Sequence, residues 1–444
     1  MTLRAARSIV LVIATLTTVD GAYASAQRCA APPLRIRNTS VWTTEGALAR
    51  RDVLFRDGRV AAIEPARPRR ADGVKTIDGS GHTLLPGLID AHLHFVVPGG
   101  LPPADGGAAR TDAAALTGRQ VLRAGVTSGR LHLASLEEAA SLKARSLDPC
   151  EPLPRLQVGG PGISGAIDRD FPNFQSAHSV EDVRAKVARA REAHVDWIAI
   201  HDAHRFAPGV LQALVDAARA AGVRLFAAGT SPAEITAALA IAPDTLDYVE
   251  QSGEPYPAAI LDAIRSRRDL ILVPPVGIFH RTSTYLARPD AIDDPTNFEG
   301  FTPADRAFAV ANAKKALEGP DGARARRLMP VLPAKLRQLR GLGLPVALGS
   351  DTGSPLHFQG GAIWWELEGW RAFGASAHDA LVAATDGGAR VLRATDVGRL
   401  AVGARADFVL YRGDVEQGRF DQGRVLAVGK EGVLFVEDGR WIGR

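Results

Sequence analysis

Two histidines separated by a single residue are the first side chains of this 444-residue sequence whose spacing could do chemistry. His92 and His94 end the apolar run LLPGLIDAHLH. Alternate residues of a β-strand face the same side, so both imidazoles are expected to point in one direction. Two adjacent imidazoles are half of a metal site. The sequence therefore predicts a metal site at the end of this run.

A carboxylate that could join them ends another apolar run, LPVALGSD, at Asp351. If the two runs are the first and last strands of a closed barrel, they are neighbours, and Asp351 can approach the two histidines. A carboxylate there could bind the metal, take a proton from bound water, or both. The alternative is that Asp351 only caps a Ser-Asp-Thr-Gly turn.

The elements that must position these residues form a repeating pattern. Strand-like apolar runs alternate with helical stretches, which predicts parallel βα units, and eight such runs indicate an α/β fold of the (β/α)8 barrel type. The runs occupy residues 84–94, 125–132, 155–160, 195–201, 223–229, 246–251, 270–276 and 344–351. Residues from about 279 to 342 are predicted to be a helical insertion after strand seven that covers the barrel mouth.

Short strands with glycine turns occur at both ends of the chain. RDVLFRDGRVAAIE has the pattern of a hairpin around Asp57-Gly58, and ADFVLY and VLFVEDGRWI continue the pattern near the C-terminus. These segments predict one small composite β-sandwich domain. Its two parts would span residues 27–85 and 396–444, on either side of a barrel over 86–395.

The first 26 residues have the pattern of a signal peptide. Arg4 and Arg7 precede an apolar run, and small residues follow up to Ala26. The run is too short for a spanning helix, so we expect no stable membrane anchor and a periplasmic or secreted protein. In an oxidising compartment Cys29 and Cys150 could pair, and their spacing leaves a bridge and two free thiols both open.

Composition excludes several classes of protein. Charged residues make up 23% and hydrophobic residues 46%, which is typical of a globular chain and excludes disorder. The net charge is +4, but the arginines are scattered among acidic residues, so nucleic acid is not an expected partner. We expect a small-molecule substrate, and the sequence leaves open whether the chain forms a homo-oligomer.

The motifs resemble those of the metal-dependent amidohydrolase superfamily, closest to its imidazolonepropionase-like and Xaa-Pro-dipeptidase-like branch. The resemblance is carried by DVLFRDGRVAAIE, IDGSGHTLLPGLIDAHLH, GVTSGR, LGSDTG, ALVAATDGGARVL and GRLAVGARADFVLY, in that order. It covers nearly the whole mature chain. It implies a barrel flanked by a composite β-sandwich, with a hydrolytic metal site at the strand ends.

The sequence departs from that family at three of its six expected ligands. The resemblance places Ala199 where two-metal members carry a carboxylated lysine, and Ala228 and Gln251 where they carry histidines. His92, His94 and Asp351 remain, which predicts one divalent metal. Zinc is the first expectation for such ligands, and iron and manganese stay open.

Other side chains could complete the site. His201 lies two residues beyond Ala199 and should face the same way, so it could act as a replacement ligand or as an acid–base group. Gln251, His280 and Arg130 are the candidate substrate contacts.

The predicted function is an exported hydrolase of amide, cyclic amide or ester bonds that uses one divalent metal and activated water. Asp351 would serve as ligand or general base, and His201 as a second catalytic group. The alternative is a relative that has lost hydrolysis. Such a protein would act as a lyase, isomerase or cyclase, or would bind a ligand without turnover.

Overall fold

A computed structural model of the chain describes residues 31–68, 72–96, 113–354 and 356–443. The predicted signal peptide (1–26) and Cys29, one half of the candidate disulfide, lie outside these residues. In this part of the chain no helix is both long enough and apolar enough to cross a membrane.

The strands and helices are numbered in chain order. The strands are β1 (Leu34–Thr43), β2 (Gly46–Arg56), β3 (Arg59–Pro65), β4 (Lys75–Asp78), β5 (Thr83–Pro86), β6 (Leu88–Leu93), β7 (Val126–Leu131), β8 (Arg155–Val158), β9 (Gly162–Ser164), β10 (Phe174–Gln175), β11 (Trp197–His201), β12 (Arg224–Ala228), β13 (Thr245–Asp247), β14 (Ile271–Val273), β15 (Phe408–Tyr411), β16 (Val425–Lys430), β17 (Val433–Glu437) and β18 (Arg440–Trp441). The α-helices are α1 (Ala113–Arg123), α2 (Leu136–Ser146), α3 (Val180–Glu192), α4 (Val210–Ala220), α5 (Pro232–Ala240), α6 (Ala258–Arg265), α7 (Gly277–Ala287), α8 (Pro303–Glu318), α9 (Pro320–Leu328), α10 (Leu332–Arg340), α11 (Ala362–Ala372), α12 (Ala377–Val382) and α13 (Gly388–Leu392).

Strands from both ends of the chain form one sheet. Its order is β18-β17-β16-β15-β5-β1-β2-β3, with β4 paired to β1. The two ends meet where β5 and β15 run antiparallel, with Leu85 opposite Val409. The apolar face of this sheet buries residues such as Ile36, Phe55 and Phe408 in a core of its own. The chain ends therefore build a single β domain.

Parallel strands between these ends form the barrel. β6, β7 and β8 pair in sequence order, and so do β11, β12, β13 and β14. A bridge between Gly159 and Trp197 joins the two sets. On the other side, an extended segment around Val346 pairs with Leu272, and the amide of Ala91 donates to the carbonyl of Leu348 over 2.9 Å. This segment takes the place of strand eight and closes the barrel.

Alternation along each strand separates the barrel interior from its outer layer. Trp197, Ala199 and Phe226 pack together in one interior cluster. Their neighbours Ile198 and Leu225 belong instead to the large core shared with the surrounding helices. This period of two is the pattern expected of barrel strands, and it decides which side chains can reach the axis.

Helices follow strand seven where the sequence predicts an insertion. After β14 the chain forms α7, α8, α9 and α10 before it returns to the segment that closes the barrel. Tyr285 and Phe298 of this insertion belong to a separate cluster that also contains Phe358, which follows the closing segment. Helix α9 supplies side chains to the wall of the cavity described below.

Candidate metal centre

The carboxyl ends of β6, the first barrel strand, and of the segment that closes the barrel bring two histidines and an aspartate together. His92 belongs to β6, and His94 follows that strand directly. Asp351 follows the closing segment with a left-handed backbone (φ 51°), and its amide donates to the carbonyl of His92 over 2.8 Å. The amide of His94 donates to the hydroxyl of Thr352. These backbone links hold the two strand ends in register.

Three possible metal-ligand atoms converge there. Oδ1 of Asp351 lies 3.5 Å from Nε2 of His92 and 3.3 Å from Nε2 of His94. All three residues are buried, with relative exposures of 9% or less. The three residues form one group whose ligand atoms lie within 4.8 Å of one another. The structure thus brings together the residues that the sequence selects as metal ligands.

The other ring nitrogen of each histidine has an acceptor that fixes its orientation. Nδ1 of His92 lies 2.7 Å from Oδ2 of Asp247, and Nδ1 of His94 lies 3.1 Å from the backbone carbonyl of His132. An acceptor at Nδ1 holds the proton there and leaves the Nε2 lone pair facing Asp351, the usual arrangement of a metal-binding histidine. Two imidazoles and one carboxylate suit zinc, iron or manganese. The residues present therefore fit a divalent metal.

Electrostatics supports the protonation states that a metal needs. Burial lowers the pKa of His92, although the carboxylate of Asp247 opposes the shift. Burial opposes ionisation of Asp351, but its interactions with His94 and His92 outweigh this effect and lower the pKa of that carboxyl. Metal ligation requires a neutral imidazole and an ionised carboxylate, and the shifts at His92 and Asp351 are each in the direction of these states.

A cavity of about 450 Å³ opens above these atoms. His94 and Asp351 contribute to its lining, and so do polar side chains from the loops after several strands and from helix α9. These polar wall residues include Asn173, His201, Tyr248, Gln251, Asp321 and Arg324. A cavity of this size is suited to a small molecule.

His201 faces the cavity, as its position relative to Ala199 predicts. Its ring lies 4.9 Å from the ring of Phe174, centroid to centroid, and its Nε2 is buried without a hydrogen-bond partner among the described residues. Burial lowers the pKa of His201 to about 4, so the ring is neutral at pH 7. Among the described residues, His201 belongs to neither of the groups whose ligand atoms lie within 4.8 Å of one another.

The three candidate substrate contacts have different positions. Gln251 lines the cavity, and its backbone amide donates to the carbonyl of Thr230 over 2.8 Å. His280 does not line it and packs against Trp365 and Phe373 instead. The physical reason is the start of α7 at Gly277: successive helical residues turn by about 100°, so residues 278 and 279 face the cavity and 280 faces α11.

Arg130 also lies outside the cavity, because alternation along β7 turns it into the barrel interior. Its side chain is completely buried, and Nη2 lies 2.5 Å from Oδ2 of Asp247. The sequence motifs do not single out Asp247. The one sequence feature that could indicate it is its place at the end of the sixth barrel strand, β13. It lies two residues after Thr245, whose hydroxyl donates to it over 2.6 Å.

Tyr248 is a second residue that the sequence does not single out. Its hydroxyl lies 3.2 Å from Nε2 of His92, on the cavity wall. Burial, with added repulsion from the carboxylates of Asp351 and Asp247, raises the pKa of Tyr248 well above its usual value. The phenol therefore stays protonated and can act as a hydrogen-bond donor in the cavity.

Comparisons with known proteins place the chain in context. The model of the amidohydrolase family matches residues 83–432. An N-acetylglucosamine-6-phosphate deacetylase from Lysinibacillus sphaericus is 44% identical over 61 residues, 14% of this chain and 15% of that protein. An imidazolonepropionase from Pseudoalteromonas atlantica is 45% identical over 47 residues, 11% of this chain and 12% of that protein. The chain thus spans 15% or less of the length of these curated relatives.

A solved structure matches over a much greater length. The crystal structure of a Xaa-Pro dipeptidase with bound methionine in the active site superposes with a TM-score of 0.68 at 19% identity. The match covers 91% of this chain and 100% of that chain. It shows the fold, and the prediction of a (β/α)8 barrel with an additional β domain is confirmed.

Proposed function

Because the chain belongs to the amidohydrolase family, we propose that it is an exported hydrolase that cleaves amide, cyclic amide or ester bonds with one divalent metal, zinc before iron or manganese. The observation that carries the proposal is the convergence of His92 Nε2, His94 Nε2 and Asp351 Oδ1 beside a small-molecule cavity. The proposed substrate is a small molecule, in keeping with the volume of that cavity.

The expectation of one metal rests on side chains that cannot ligate. Ala199 lies in the apolar interior of the barrel, and Ala228 ends β12 with a methyl group. Gln251 is the third residue that stands where a ligand is expected, and its neutral amide is a poor substitute for an imidazole at a zinc site. These three residues supply no anionic or imidazole donor for a second ion.

A divalent metal held by His92, His94 and Asp351 would act as a Lewis acid toward the substrate carbonyl and would lower the pKa of water. Asp351, ionised and ending the strand-eight segment, is the base that accepts the proton from water at a carboxylate oxygen and passes it to the leaving group. The hydroxyl of Tyr248 donates a hydrogen bond to the carbonyl oxygen, where negative charge develops. His201 acts from the cavity wall as a second acid–base group, and Gln251 binds the substrate there.

Metal analysis combined with a hydrolysis screen tests this proposal. The mature protein is purified without chelators, its metals are measured by plasma mass spectrometry, and it is assayed on dipeptides, N-acyl amino acids, lactams and aryl esters. We expect about one zinc per chain and hydrolysis that a chelator abolishes. His94→Ala should lose the metal, whereas His204→Ala, a change at an exposed histidine, should keep it.

Two outcomes would contradict the proposal: two metals per chain, or hydrolysis by a metal-free protein. One metal without hydrolysis of any substrate class would favour the alternative, a lyase, isomerase, cyclase or ligand-binding relative. For the proposed export, sequencing of the mature N-terminus from the native host should give Ser25 or Gln27. An unprocessed Met1 would count against it.

A further inference from the structure

A second group of possible metal ligands lies next to the first. Donor atoms of His92, His132 and Asp247 lie within 4.8 Å of one another, and all three residues are buried. Both ring nitrogens of His132 are buried without a hydrogen-bond partner among the described residues. Taken by their chemistry alone, two imidazoles and a carboxylate could hold a second cation here.

A guanidinium already occupies this part of the barrel interior. Arg130 donates from Nη2 to Oδ2 of Asp247, the same oxygen that lies beside Nδ1 of His92. Its Nη1 donates to the hydroxyl of Thr245 over 2.8 Å, and its Nε donates to the carbonyl of Ala91 over 2.7 Å. Each nitrogen of the guanidinium thus has an acceptor.

Aromatic faces hold the same group from another direction. The guanidinium carbon lies 4.6 Å from the ring centroid of Trp197 and 5.1 Å from that of Phe226. The side chain of Arg130 has no exposed surface. A guanidinium in such surroundings is fixed in place and retains its charge, because arginine does not deprotonate in proteins.

We propose that Arg130 serves as the permanent cation of this second group. Its charge compensates that of Asp247, which fixes the ring of His92 with its Nδ1 proton toward Asp247. The same charge excludes a second metal ion from the group. Any metal ion among these donors would lie a few ångströms from the guanidinium, where like charges repel strongly away from water. Arg130 is thus a positioning residue that also limits metal stoichiometry. The inference rests on the proposed function, because it takes His92 as a metal ligand.

Zinc stoichiometry in variants of the full mature chain tests the inference. The wild type and Arg130→Lys, which keeps a charge, should each bind about one zinc. Arg130→Met removes the charge and should admit a second zinc, and adding His132→Phe should abolish that gain. A folded Arg130→Met protein that still binds one zinc overturns the proposal, and so does a second zinc that survives His132→Phe.

A measurement on the wild type keeps the inference testable if Arg130→Met does not fold. In the metal-free protein labelled with 15N-histidine, the His92 resonances, identified by their loss in His92→Gln, should report a proton on Nδ1. A proton on Nε2 instead would overturn the proposed positioning. If the wild type binds no zinc at all, the proposed function fails, while this tautomer measurement still decides the role of Asp247 and Arg130.

Discussion

The imidazole rings of His92 and His132 stack face to face, with centroids 3.9 Å apart and planes within 8° of parallel. The ring of Phe226 meets His92 edge-on at 5.9 Å, and Asp247 holds its Nδ1. The orientation of His92 is therefore set by the protein and does not depend on a bound metal. Such preorganisation lowers the cost of binding, because little side-chain entropy is left to lose.

Replacing the carboxylate of Asp351 should separate its catalytic role from its structural one. Asp351→Asn keeps the size of the side chain but removes the base, so we expect a loss of about 10²–10⁴-fold in kcat. Steady-state kinetics alongside metal analysis measures this. Unchanged kcat in a metal-loaded variant would exclude Asp351 as general base.

His201 should affect turnover without affecting metal content. It lines the cavity but belongs to neither group of converging ligand atoms, so His201→Leu is expected to keep its zinc and to lower kcat/KM by about 10²–10⁴-fold. Plasma mass spectrometry and kinetics on the same sample decide the point. Loss of zinc in this variant would instead make His201 a replacement ligand.

A methyl group at Gly349 should displace His92. A Cβ atom there would lie 2.6 Å from Cβ of His92 and 2.8 Å from Cγ1 of Val273, closer than real contacts allow. Gly349→Ala is therefore expected to weaken zinc binding by about 10-fold or more, since ligand geometry is disturbed. Gly253→Ala is the matched control, because its nearest neighbour would be Arg327 Cγ at an ordinary 3.4 Å. Equal zinc affinity in both variants would refute the expected displacement.

His357 should make the protein less stable in acid. Burial lowers the pKa of His357 to about 3, and neither ring nitrogen has a partner among the described residues. Between pH 6.5 and 3 the unfolded chain binds this proton and the folded chain does not, so stability falls as pH falls through that window. Denaturant titrations of His357→Leu should show a slope shallower than wild type by roughly 1.4 kcal/mol per pH unit. Parallel slopes would contradict this.

The parts of the fold and site that could be predicted depend on local pattern. The eight apolar runs and the spacing of His92 and His94 are visible within short stretches, and Asp351 follows from the neighbourhood of the first and last strands in a closed barrel. Once the barrel is predicted, a motif at a strand end is thus enough to place its side chains at the mouth of the barrel.

Contacts that depend on which side of a strand or helix a residue faces could not be predicted. The His92–Asp247 pair joins residues 155 positions apart, and the register of β6 against β7 is irregular between Asp90 and Leu93, next to His92. Arg130 does not reach the substrate cavity because strand parity turns its side chain into the barrel interior. His280 does not reach it because the first residue of α7 fixes which side of the helix it occupies. An error of one residue reverses either assignment.

The pairing of β5 with β15 also determines when the β domain can form during synthesis. The hydroxyl of Thr83, on β5, donates to the carbonyl of Gly413, 330 positions later. Until those late residues are available, β5 pairs with β1 on one side only, and the other edge of the strand that carries Leu84 and Leu85, both buried in the folded domain, has no partner. An unpaired apolar edge invites aggregation, and contacts of such long range slow folding. The nascent chain must therefore be kept from premature association until nearly its full length is made.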